Sequence, residues 1–188
     1  MRPRLTMIAL TAAWMAIAAC SSSQQTRYLH KNADLGALKT VAVLPFENLA
    51  GDHAAGEKVQ KVFYIELLSL DVFDVAEPGQ VSKIAHTSEA LQNFGPAEYQ
   101  KLGKDLEVDG LFIGSVVDFA DSRTGTTPTP DVTIQLRLIE TATGETIWST
   151  SQTRSGAGIG TRLFGVGGES LTEAARRVVR EELATLLK

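Results

Sequence analysis

Chemistry could reside in only a few places along this chain of 188 residues. Its three histidines, His30, His53 and His86, stand far apart, and none has a second ligand at metal spacing. A solvated surface histidine is the simpler reading of each. Glu47, Asp52 and His53 share a loop after a strand-like run, an arrangement in which acid–base work is conceivable. No nucleophile stands at a recognisable spacing from them. Gly156 to Gly168 is rich in glycine and precedes a helical pattern, the setting of a phosphate-binding loop. Neither a Gly-Lys-Ser/Thr sequence nor a G-x-G-x-x-G spacing is present in it. The expectation is therefore no catalytic set, no metal and no cofactor. That leaves Cys20, the single cysteine.

Cys20 closes an export-type leader. Met1 to Arg4 is short and basic, and Leu5 to Ala19 is apolar apart from Thr6 and Thr11. That run is shorter than the roughly 20 residues of a spanning helix, so it reads as the apolar part of a signal peptide. Ile17-Ala18-Ala19-Cys20 resembles the bacterial lipobox. The resemblance implies cleavage between Ala19 and Cys20, a thioether-linked diacylglycerol on Cys20, and an N-acyl chain on the new terminus. The alternative is an ordinary secretory leader with a chance cysteine beside the cut. Against it stands the lone thiol, which in an exported protein would oxidise or pair, and which acylation removes. Several acyl chains make the attachment effectively stable. Ser21 follows where an inner-membrane retention signal would show Asp. By resemblance to enterobacterial sorting, the destination is the periplasmic face of the outer membrane.

Composition agrees with one folded body after the leader. With 44% hydrophobic and 21% charged residues, the chain is too apolar for a disordered protein. The formal charge of −4 becomes more acidic once Arg2 and Arg4 leave with the signal peptide. No basic run supplies the electrostatic footprint of a nucleic-acid partner. Three segments are expected: a signal peptide at 1–19, a flexible lipidated tether at 20–37, and an α/β domain at 38–188. The tether assignment rests on the polar, non-periodic stretch that opens at Ser21.

The elements of that domain follow from local pattern. Thr40 to Phe46 is a short apolar run closed by Pro45, a buried strand. Val59, Val62, Phe63, Leu67 and Leu70 recur at helical spacing. Val72 to Ala76 reads as a short strand, and helices are expected near 80–92 and 96–107, with Pro96 in a first turn. Leu111 to Phe119 is a third strand, and 122–130, rich in Gly, Thr and Pro, reads as a loop. Val132, Ile134, Leu136 and Leu138 alternate with polar residues, the period of a half-buried strand. A turn at Thr141–Gly144 returns the chain as a hairpin partner through Thr153. Ser170 and Glu173 form a capping-box sequence before a final helix. The order β-α-β-α-α-β-β-β-α predicts α/β (α+β) architecture, one mixed sheet with helices packed on it.

Two features outside this pattern concern surfaces. Ile159, Leu163, Phe164 and Val166 lie among the glycines of 156–168, and apolar side chains in such a segment can meet a neighbouring subunit or lipid. Trp148, in the returning hairpin strand, reads either as sheet packing under a helix or as an anchor at an interface or the membrane boundary.

Val41 to Phe46 with Asn48, then Val108 to Ser115, then Arg137 to Trp148, resemble a superfamily of envelope lipoproteins. It includes CsgG, PelC, LpoB and the N-terminal domain of TolB. The resemblance covers roughly Thr40 to Lys188. It implies a non-enzymatic accessory of envelope export or assembly, with a homo-oligomer or an envelope protein as partner and no small-molecule substrate. The 122–130 segment is too short for the spanning hairpins of CsgG. The tether is too short for the long reach of LpoB, an adaptor of a cell-wall synthesis enzyme and the alternative reading. The short-tether profile of PelC fits best.

Overall fold

The period-two run from Val132 becomes the centre of the molecule. In the computed structural model, which describes residues 23–84, 88–124, 127–155 and 169–187, it lies within β6. Seven strands make one mixed sheet: β1 (Ser23–Leu29), β2 (Thr40–Val43), β3 (Glu47–Asn48), β4 (Asp74–Val75), β5 (Gly110–Thr124), β6 (Thr127–Glu140) and β7 (Glu145–Ser155). The path across it runs β1-β7-β6-β5-β2-β4, with β3 also beside β5. Five helices pack on it: α1 (Ala55–Leu70), α2 (Pro78–Ile84), α3 (Ser88–Gln92), α4 (Pro96–Leu106) and α5 (Leu171–Leu186). This is the expected α+β arrangement, with the helix anticipated near 80–92 divided into α2 and α3.

Alternation along the strands separates two cores. Val132, Ile134, Leu136 and Leu138 face α1 and α5, joined by Phe63, Phe112 and Trp148. The rings of Phe63 and Phe112 meet edge-on at 5.2 Å, and those of Phe112 and Trp148 at 6.3 Å. Leu44, Leu111, Ile113 and Ile139 face the other way, against Val81, Leu91, Tyr99 and Leu102 of the α2–α4 layer. Each fully buried side chain of this kind contributes about 1.5–3 kcal/mol.

The ends of elements behave as their residues dictate. Ser170 accepts from the Glu173 N–H at 3.3 Å, while the Glu173 carboxylate takes the Ser170 N–H at 3.0 Å, so the capping box forms. Pro96 opens α4. Gly144 closes the β6–β7 turn with φ +75°, and a Cβ there would stand 2.2 Å from the Pro96 carbonyl oxygen. Only glycine fits that turn. Asp109 accepts from the N–H groups of Thr40 (3.0 Å) and Lys39 (2.9 Å), tying the start of β2 to the start of β5. Those two bonds hold its carboxyl below the usual range.

Two expectations are corrected. Residues 122–130 are not a loop: β5 runs to Thr124 and β6 begins at Thr127, so the strands continue nearly to the turn. Pro128 and Pro130 are tolerated because, among the described residues, β7 pairs with β6 only from Asp131 onward, so on that side no strand there calls for their missing N–H. Nor is the chain free as far as 37. Ser23–Leu29 pairs antiparallel with β7 along its whole length, and Leu35–Ala37 forms a 3-10 turn capped by Asp34. Sheet-edge pairing uses backbone groups and needs no apolar pattern. Here side chains reinforce it, with the Gln25 amide donating to Gln152 at 3.1 Å and the Thr150 hydroxyl to the Thr26 carbonyl at 3.1 Å.

Candidate functional site

The register of β1 gathers three chain segments at one end of the sheet. Ser23 stands opposite Arg154, so the chain enters the sheet three residues after Cys20. Ser155, the last residue before the Gly-rich segment, stands opposite Asp131. From the same end, β5 and β6 project onward to Thr124 and Thr127. Cys20, Ala19, Ile159, Leu163, Phe164 and Val166 lie outside the described residues, but the points where their segments join the sheet are fixed. Arg154 reaches Glu169 at 3.2 Å and Glu181 at 3.9 Å, and Arg177 reaches Glu169 at 2.9 Å. Glu169 and Arg154 are largely covered, so this network holds the two ends of 156–168 together beside the start of β1.

Trp148 is not a surface anchor. It is 0% exposed, its indole N–H donates to the Thr185 hydroxyl at 3.2 Å, and it packs on Phe112. Its position on β7 points it beneath α5, where the indole finds both apolar surface and one acceptor.

The acidic loop is used structurally. The Asp52 carboxylate accepts from the Ala54 N–H (2.8 Å) and from Lys58 (2.6 Å), and these partners hold it below the usual carboxylate range. Glu47 accepts from the Ser115 hydroxyl at 3.0 Å. His53 is exposed, and His30 accepts from the Asn32 N–H at 3.3 Å. His86 lies outside the described residues. No group of three or more His, Cys, Asp and Glu side chains stands at metal-holding distance among the described residues. Among these residues no helix is long and apolar enough to cross a membrane.

Three surfaces could not be read from sequence. Beyond α3, the sheet face opposite α5 carries Ser115, Gln135, Ser149 and Ser151, next to half-buried Arg137, around a cleft of about 260 Å³. Arg137 donates to the Gln92 carbonyl oxygen at 2.9 Å, and Tyr99 donates to the Leu91 carbonyl at 2.7 Å. Burial raises the Tyr99 hydroxyl pKa against the opposing pull of Arg137. At the β4 edge, a groove of about 460 Å³ opens between α1 and α2, lined by Val43, Pro45, Tyr64, Ile65, Ala76 and Pro78. At the opposite edge, β1 leaves Arg27, Tyr28 and Leu29 exposed. Each depends on non-local pairing.

Comparison with known proteins assigns the fold. No family model matches the chain, and no curated protein matches it by sequence. Among solved structures it is similar to the PelC dodecamer from Paraburkholderia phytofirmans, with TM-score 0.61 and 19% identity, covering 87% of this chain and 96% of that one. It is also similar to the lipoprotein GNA1162 from Neisseria meningitidis, with TM-score 0.54 and 15% identity over 78% and 99% of the two chains. The hypothetical protein CT253 from Chlamydia trachomatis gives TM-score 0.53 and 13% identity over 80% and 96%. The expected resemblance to PelC-like proteins therefore holds at the level of fold.

Proposed function

We propose that this chain is a lipid-anchored periplasmic lipoprotein of the outer membrane, a non-enzymatic accessory of an envelope export or assembly system that works as an oligomer. The carrying observation is the lipobox-like Ile17–Cys20 sequence placed three residues before the first paired strand. With a diacylglycerol on Cys20, Ser23 lies within about 10 Å of the membrane surface at roughly 3.4 Å per residue. The sheet end that holds Ser23, Arg154 and the β5–β6 tip then faces the lipid, and the apolar residues of 156–168 depart from that same end. Two of the similar solved structures support the reading, one being a dodecamer and the other a lipoprotein. Several chains on one sulfur and its neighbouring amine give lasting attachment without a spanning helix.

Globomycin treatment and a Cys20→Ser variant test the anchor. Accumulation of uncleaved precursor in the first case, and loss of the protein from the outer-membrane fraction in the second, are expected. A mature, membrane-bound Cys20→Ser protein would overturn the proposal.

A further inference from the structure

The two edges of the sheet differ in charge. The β1 edge exposes Arg27 and Lys31, with His30 half-buried between them. Tyr28 and Leu29 on the same edge are 49% and 39% exposed. The β4 edge exposes Asp71, Asp74 and Glu77, with Lys39, whose carbonyl accepts the Asp74 N–H at 2.8 Å, the one exposed cation beside Asp74 among the described residues in the pairing of β2 with β4. There the groove between α1 and α2 is apolar, and Ile65, Leu68 and Val72 extend an apolar ridge beside it, 61%, 46% and 43% exposed. Lys61 on that side is engaged by Glu57 at 2.5 Å. Asp34, near the β1 edge, is turned back to accept from the Gly36 N–H at 3.1 Å. A basic, apolar-bearing edge and an acidic, apolar-bearing edge thus terminate one sheet on opposite sides.

They also stand at the same height. Leu29 lies opposite Trp148, Trp148 opposite Leu138, Leu138 opposite Phe112, and Phe112 beside Val43. Val43 lines the groove. Val75 sits beside Val41, two residues lower, so Asp74 is close to the level of Lys31. Beyond β4, Val43 is 5% and Leu44 0% exposed, so what this edge offers is the side-chain groove between α1 and α2. β1 is antiparallel to β7, whereas β2 and β4 are parallel to β5, so rotation about an axis along the strands brings β1 of one copy antiparallel to β4 of the next. Unpaired edges carrying exposed apolar side chains are association surfaces unless covered.

We propose that the β1 edge of one copy docks head to tail against the α1–β4–α2 edge of the next, with Tyr28 and Leu29 at the groove and Arg27 and Lys31 against Asp74 and Glu77. The contact joins two different surfaces, so repetition generates a ring when the rotation closes. This deepens the oligomeric part of the proposed function and rests on it; the lipid anchor is not required for the argument.

The full-length lipidated protein, purified in detergent, tests it by light scattering coupled to size-exclusion chromatography. Wild type should run as a multimer. Arg27→Glu with Lys31→Glu should reduce it to monomer at the same concentration, as should Asp74→Lys with Glu77→Lys. All four changes together should restore the multimer, a rescue that misfolding cannot mimic. Thermal melts of the exposed-site variants control for folding. A wild-type multimer unchanged in both charge-reversed variants would overturn the edge pairing while leaving self-assembly intact. A wild-type monomer at high concentration would overturn both.

Discussion

Ser23 stands opposite Arg154 in the antiparallel ladder between β1 and β7, and this pairing fixes where the N-terminal segment meets the body. A proline in β1 should undo it. The His30 N–H bonds the Ile147 carbonyl at 2.8 Å, and alternation along an antiparallel strand points the Thr26 N–H the same way. Thr26→Pro removes that donor. Trypsin should then cut after Arg27 at least about tenfold faster, with the global melting temperature shifted by only a few degrees because β1 is an edge. Equal cleavage rates in variant and wild type would show that β1 is not held by β7.

Trp148 is the largest fully buried side chain of the sheet–α5 core. Trp148→Ala should cost about 3–5 kcal/mol through lost transfer energy and the cavity left behind. Trp148→Phe keeps most of the packing and loses the bond to Thr185, so it should cost less. Denaturant titration measures both. A cost under about 1 kcal/mol for the alanine variant would contradict a core position.

Glu182 introduces a pH dependence of defined sign. It is 0% exposed, and no side chain among the described residues hydrogen-bonds its carboxyl oxygens. Burial raises its pKa well above the usual carboxylate range; the backbone of Gln152 opposes that rise, and Glu181 adds to it. A raised folded pKa means that the folded protein holds a proton the unfolded chain has lost. Stability from this group is complete below the ordinary carboxylate pKa and falls as pH climbs toward the raised value. The slope is about 1.4 kcal/mol per pH unit within that window. Glu182→Gln should therefore match wild type near pH 4 and exceed it at pH 7–8, by melts across that range. An unchanged pH slope would sink the assignment.

Local signals carried much of the fold. The β6 alternation, the α1 apolar stripe, the Ser170 cap and the Gly144 turn are each written in neighbouring residues, and each formed as read. Segments lacking such a signal were misread. Residues 23–29 are polar enough to pass for tether, and 122–130 hold too much Gly, Thr and Pro to look like strand. Residues 23–29 become a strand through backbone pairing with β7 far along the chain, whereas 122–130 fold back on themselves as the end of a hairpin, with Ser122 opposite Thr129 and Thr124 opposite Thr127.

The sequence by itself carried the single cysteine with the leader-like run before it, and the order of the core strands and longer helices, but not β1, β3 or the division of 80–92. These depend on residue type, spacing and contacts within a few residues. Only the tertiary structure decided that Trp148 is interior, that the Gly-rich segment leaves and returns beside the N-terminal strand, and that the sheet ends in one basic and one acidic edge. Those facts depend on which strands become neighbours. Side-chain direction alternates with register, so a single step of pairing decides which face meets water.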